Sequence, residues 1–226
     1  MKDINATVII DIKNKTEEDV MNNFDYSRKK NIKKAIRSGL IIESTDLEAD
    51  YKKCYDMYAK IILAGGSTPF TYEMLRKWAE EEEWELFAIK KEGKIIGYFS
   101  VIKIDESYYG LSAKSIGIRP RVFASEKEYD EFRTNDMIYW GTILYGINHD
   151  ASFVDLGGYQ IKPRGHLKGV NSFKEKWGGK VFYYKLNYPF HVAIARKLIR
   201  NINLLWQINE KRKSKNQKMP LAFKLK

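Results

Sequence analysis

The chain of 226 residues has one cysteine, Cys54, which excludes an internal disulfide framework and a cysteine-based zinc site. A reducing compartment is the simple expectation. His149, His166 and His191 show no ligand spacing, so no metal site is expected. No apolar run approaches the ~20 residues that cross a bilayer. The start, Met1-Lys2-Asp3-Ile4-Asn5, has no signal-peptide core. A cytoplasmic protein without a transmembrane segment is therefore expected. There is no Gly-x-Ser-x-Gly elbow, Walker loop or His-Glu-x-x-His, which removes the common hydrolase, nucleotide-loop and zinc-protease chemistries.

What is present is a core and an excess of positive charge. The 44% hydrophobic and 14% aromatic shares exclude a wholly disordered chain. Forty Lys and Arg against 29 Asp and Glu leave +11. Such a balance suits nucleic acid, phosphorylated metabolites or an acidic membrane face, though a Lys-rich proteome gives the same sum.

Patterning predicts the elements. Thr7 to Ile12 is a β-branched strand. Thr16 to Asp19 forms a capping box for a helix running from Glu17 to Ser38 and stopping at Gly39. A strand at Leu40 to Glu43 follows. The next helix is opened by Thr45 to Glu48, is striped by Leu47, Tyr51, Cys54, Tyr55, Tyr58 and Ile62, and is ended by Gly65-Gly66. Tyr72 to Glu82 is a shorter helix. Strands at Trp84 to Lys90, Lys94 to Ile104 and Tyr108 to Ile116, joined by short turns, make an antiparallel meander. Gly117 to Arg133 reads as irregular, Asn135 to Asn148 as a buried helix and Phe153 to Leu156 as a buried strand. A helix at Val170 to Lys176, a strand at Lys180 to Leu186 and a last helix after Pro189 complete the order.

On a helical wheel from Glu17 to Ser38, Lys29, Lys30, Lys33, Lys34 and Arg37 share one side. This is either a solvated face or a phosphate-binding stripe. Arg28 and Asn31 fall in the opposite, apolar arc. An arginine placed there implies an internal ion pair, or a cleft residue awaiting a carboxylate or phosphate. Asp136, at a helix start, is a dipole partner or a base.

Ser27 to Ala35 resembles the R-x-x-N-I-x-K-A signature of the FemAB-like acyltransferases. Asp155-Leu156-Gly157-Gly158 and Lys168 to Gly179 resemble that family's D-L-G-G and K-G-(L/V)-x-x-F-K-x-x-(F/W)-G-G motifs. The resemblance covers about Ala6 to Leu186. It implies an α/β (α+β) fold, a single GNAT-like domain whose mixed central sheet has helices on both faces, plus a C-terminal helix. The expected division is a domain at 1–188, a helix at 189–210 and a basic tail at 211–226. It also implies an N-acyltransferase acting on an anionic small molecule or a cell-wall precursor. The cross-bridge enzymes of the family carry two such domains, and this chain looks like the second of them. By the same resemblance Lys174 and Phe173 lie beside the transferred carbonyl, and Arg28 binds an anionic part of acceptor or donor; Asn31, Lys29 and Lys33, from the helical wheel, are the further candidates for binding substrate.

Enzymes of this fold that use acyl-CoA hold its pyrophosphate on backbone N–H groups at a helix start, in a glycine-rich loop. No glycine lies between Gly117 and Gly141. The expected donor site is instead Ala113, Lys114 and Ser115, whose backbone N–H groups would steady an oxyanion, together with Arg133, Thr134 and Asn135. No cofactor is expected to be permanently bound. The donor is aminoacyl-tRNA or acyl-CoA, the former slightly favoured. An acyl-CoA-dependent N-acetyltransferase and a non-catalytic RNA- or anion-binding module remain as alternatives.

Overall fold

In the computed structural model, residues 2–64, 68–109, 115–163, 165 and 167–187 are described. The turn at Glu92-Gly93 is tight, with φ of 51° and 78°. It joins β3 (Glu85–Lys91) to β4 (Lys94–Asp105), which pair antiparallel. β2 (Leu40–Ser44) adds to the outer side of β3. β5 (Ile116–Ser125) runs antiparallel to the other side of β4. Here the sequence expectation is corrected. The third strand of the meander is Ile116–Ser125 rather than 108–116, and Glu106–Tyr109 is a single 3-10 turn. The segment 117–133 is not irregular: β5 is followed by a second 3-10 turn at Lys127–Phe132.

β6 (Phe153–Gly158) lies parallel to β5 and antiparallel to β1 (Lys2–Asp11), and β7 (Lys180–Asn187) follows β1. The result is a seven-stranded mixed sheet in the order β2-β3-β4-β5-β6-β1-β7. One core cluster joins α1 (Glu17–Asn22), α2 (Tyr26–Arg37) and α5 (Thr134–Asn148) to the sheet, centred on Ile32, Phe99, Ile138, Ile143 and Trp177. A second joins α3 (Leu47–Ala64) and α4 (Tyr72–Glu81) to it through Tyr51, Cys54, Leu75, Trp84 and Ile102. α6 (Leu167–Glu175) follows β6.

The helix expected over Glu17 to Ser38 is two helices. The capping box at Thr16 and Asp19 forms as expected. After Asn22 the chain breaks, and Asp25 caps α2 by accepting from the Ser27 N–H at 2.8 Å. The Asp25 N–H in turn donates to the Lys176 carbonyl at 2.9 Å, tying the break to the end of α6.

Residues Ile4–Tyr184 form one compact unit. The expected C-terminal helix and basic tail lie outside the described residues. Among the described residues, no helix is long and apolar enough to cross a membrane.

Candidate active site

β5 and β6 are paired in only two described rows, Gly117 with Phe153 and Ile118 with Val154. Side-chain-free Gly117 permits this approach, since a Cβ there would come within 2.2 Å of the Phe153 ring. The next residue on each strand is charged: Arg119 on β5 and Asp155 on β6. Their side chains meet at 3.0 Å where the described pairing ends.

Asp155 is fully buried. One of its oxygens accepts from the Thr7 hydroxyl and from the Gly157 N–H, the latter at 2.7 Å. The other accepts from the Tyr109 hydroxyl at 2.8 Å and from Arg119. The bond to the N–H two residues on is an Asx turn, and it accompanies the left-handed φ of +81° at Gly157. The D-x-G spacing in the sequence therefore has a local cause. Burial, followed by the Asp155 charge, drives the Tyr109 hydroxyl far above its ordinary pKa, so it stays protonated as a donor.

Lys174 reaches this fork from α6. Asn171, three residues earlier on the same face, exchanges bonds with the backbone of Gln160 at 3.1 and 2.8 Å and fixes the helix's rotation. Trp177 is buried among Phe24, Tyr139 and Phe173 and anchors the helix end. Lys174 is thereby 8% exposed, and its Nζ donates to the Gly158 carbonyl at 2.8 Å. Burial lowers its pKa to about 8; Asp155 opposes the shift and Arg119 adds to it.

Tyr108 lies against the Arg119 guanidinium, 4.9 Å from it. The same ring lines a cavity of about 270 Å³ with Glu82, Ile102, Lys103, Asp105 and Arg121. Arg121 is held by Glu82, through Nε at 2.9 Å.

The sequence left two readings for Arg28, and the structure has the internal ion pair. Arg28 meets Asp136 at 2.5 Å, with side chains 12% and 6% exposed. Asn31 donates to the other Asp136 oxygen at 3.1 Å. Phe173 packs under the guanidinium at 4.9 Å and edge-on to Tyr139. Burial raises the Asp136 pKa against the opposing pull of Arg28. These residues clasp α2 to α5. Both Asp136 carboxylate oxygens are thus engaged, one by Arg28 and the other by Asn31.

Of the other expected residues, Lys29 donates to the Asn22 carbonyl at 2.8 Å and Lys33 is exposed. Ala113 and Lys114 lie outside the described residues, and Ser115 immediately precedes β5. Arg133 is left-handed at φ 65° and begins α5 without a side-chain cap. Thr134 is buried and donates to the Tyr129 carbonyl at 3.2 Å rather than capping, while Asn135 is exposed. Sequence reasoning did not pick out Thr7, Tyr109 or the pairing of Arg119 with Asp155.

The chain matches no family model and no curated protein. Solved structures do resemble it. FemX superposes at a TM-score of 0.67 and 15% identity over 80% of this chain and 61% of that one. The chain shares the fold of FemX. A conserved protein of unknown function from Bacteroides thetaiotaomicron gives 0.55 and 10%, over 83% of this chain and 62% of that one. The C-terminal domain of a protein described as a lysylphosphatidylglycerol synthetase from Agrobacterium fabrum gives 0.52 and 11%, over 81% and 60%. This chain thus spans about three fifths of the length of these three structures.

Proposed function

We propose that the chain is an N-acyltransferase whose reaction takes place at the β5–β6 fork. The observation that carries this reading is Lys174, a buried ammonium at the fork with a single carbonyl partner among the described residues. Its donors are poised for an oxygen that gains charge. In the reaction, an acceptor amine attacks the carbonyl carbon of an activated acyl ester. The carbonyl oxygen becomes an oxyanion that the ammonium stabilises. The intermediate collapses with cleavage of the carbon–oxygen bond, and the departing hydroxyl takes up the proton that the amine loses. No covalent enzyme intermediate is required. The cavity beside Tyr108 offers room for a small acceptor.

We favour an aminoacyl ester of tRNA as donor over acyl-CoA. Two features support this. The stretch leading from β5 into α5 has no glycine between Gly117 and Gly141 to bring backbone N–H groups around a pyrophosphate. In addition, Lys30, Lys33, Lys34 and Arg37 on α2 are exposed, and no acidic partner holds them among the described residues. They span about two turns of helix and present a cationic strip suited to a phosphodiester backbone. Lys29, Ser115, Arg133 and Asn135 are candidate contacts for the donor. A cell-wall precursor or another anionic small molecule is the proposed acceptor class.

The test offers the full chain charged tRNA and, separately, acetyl-CoA, with a panel of amines, and follows acceptor mass. Transfer from tRNA alone supports the reading. Transfer from acetyl-CoA alone keeps the acyltransferase and overturns the donor. Salt-sensitive tRNA binding with no transfer from either donor replaces it with a binding module.

A further inference from the structure

The fork holds more positive charge than its carboxylate balances. Asp155 accepts from Thr7, Tyr109, Gly157 and Arg119, which uses its lone-pair directions. Lys174 is therefore left with a neutral acceptor, the Gly158 carbonyl. Arg119, Lys174 and Asp155 together carry one unmatched positive charge when the lysine is protonated. Between the two cations lies Gly157. A Cβ built there would stand 3.6 Å from Lys174 Nζ and 3.8 Å from Arg119 Nη2, and nothing else non-neighbouring among the described residues comes within 4 Å. The missing side chain leaves a notch walled by two cations from different elements, β5 and α6.

We propose that this notch binds one carboxylate, the acidic group of the substrate whose acyl transfer occurs at the fork. The inference rests on that reading of the fork. A monoanion makes the cluster neutral, with two cations against two anions. Arg119 brings a planar donor edge that matches a carboxylate, and Lys174 adds a point charge. Asp155 then acts as the positioning residue: it turns Arg119 so that one guanidinium nitrogen is held and the other faces the notch. The charged and titratable groups facing Lys174 are Asp155 on β6, Arg119 on β5 and, through Asp155, Tyr109 on the 3-10 turn.

Binding and proton affinity are linked: an anion seated beside Lys174 holds its proton more tightly. The experiment is a pH titration of Lys174 in the full chain, by NMR of lysines labelled at Cε and assigned with Lys174→Arg. It is run with acetate, with inorganic phosphate and with chloride at matched ionic strength. Acetate is expected to raise the Lys174 midpoint saturably by about one pH unit, a tenfold tighter hold on the proton. Chloride should not, and Arg119→Gln should abolish the acetate response while Arg119→Lys retains part of it. An acetate series that leaves the wild-type midpoint unmoved overturns the site without recourse to any variant. A response to phosphate but not to acetate overturns the carboxylate assignment. Because the titration needs no turnover, the acetate response stands or falls apart from acyl transfer. Transfer without the response removes only the notch, and the response without transfer removes only the reaction.

Discussion

Arg119 and Asp155 meet at 3.0 Å at the point where two parallel strands stop pairing, and the carboxylate is wholly buried. A charge so placed depends on its partners. Asp155→Ala strips the acceptor from Thr7, Tyr109 and the Gly157 N–H and leaves Arg119 uncompensated. The expected loss is roughly 3–5 kcal/mol. Urea unfolding measures it, and a loss below about 1 kcal/mol would show that the pair contributes little.

Arg28 and Asp136 form a second buried pair, on the other core. Arg28→Leu and Asp136→Leu should each destabilise by roughly 3–5 kcal/mol, with the double variant losing much less than the sum. A double-mutant cycle in urea gives the coupling. Additive losses would mean the clasp is not a unit. Their effect on transfer should follow the folded fraction rather than KM.

Two glycines with similar backbone angles separate strain from crowding. Gly178 has φ +69°, and a Cβ there would lie 2.4 Å from the Asn23 carbonyl oxygen. Gly93 has φ +78°, and a Cβ there would meet nothing within 4 Å among the described residues. Gly93→Ala should cost about 1 kcal/mol from the left-handed conformation alone, and Gly178→Ala distinctly more. Equal melting temperatures for the two variants would contradict the close seating of the α1–α2 break on the end of α6.

Lys174 makes stability depend on pH in a defined direction. Folded, it releases its proton at about pH 8, against an ordinary 10.5 when unfolded. Between those values the unfolded chain holds more protons, so wild-type stability rises with pH across this window. Below pH 8 the cost of burying the ammonium is present in full, up to about 3 kcal/mol. Lys174→Met should therefore be the more stable protein at pH 7, with the gap narrowing towards pH 10. Urea midpoints of both proteins at the two pH values decide it, and a gap that stays constant contradicts a strained ammonium.

Local chemistry made part of this readable from sequence. The capping box at Thr16, the turn at Glu92-Gly93 and the Asx turn of Asp155-Leu156-Gly157 each involve residues no more than three apart, and each is visible as a spacing. The misplaced third strand has a different cause. Arg119 and Arg121 read as loop residues because their charges have no local reason to lie in a sheet. Asp155 and Glu82, 36 and 39 residues away, neutralise them. The break at Asn23 to Asp25 was masked by an apolar pattern that continues in phase from Phe24 to Ile32, although Asp25 followed by Ser27 is a recognisable cap. Thr7 and Asp155, 148 residues apart, become partners only when β1 inserts beside β6.

The central claim is that acyl transfer at the fork depends on the Lys174 ammonium. Single-turnover transfer from charged tRNA to an amine acceptor, comparing wild type with Lys174→Met at pH 7, tests it most directly. A loss of about 10²–10³ in rate with the fold intact by circular dichroism is the expected result. Equal rates in the two proteins would contradict the account.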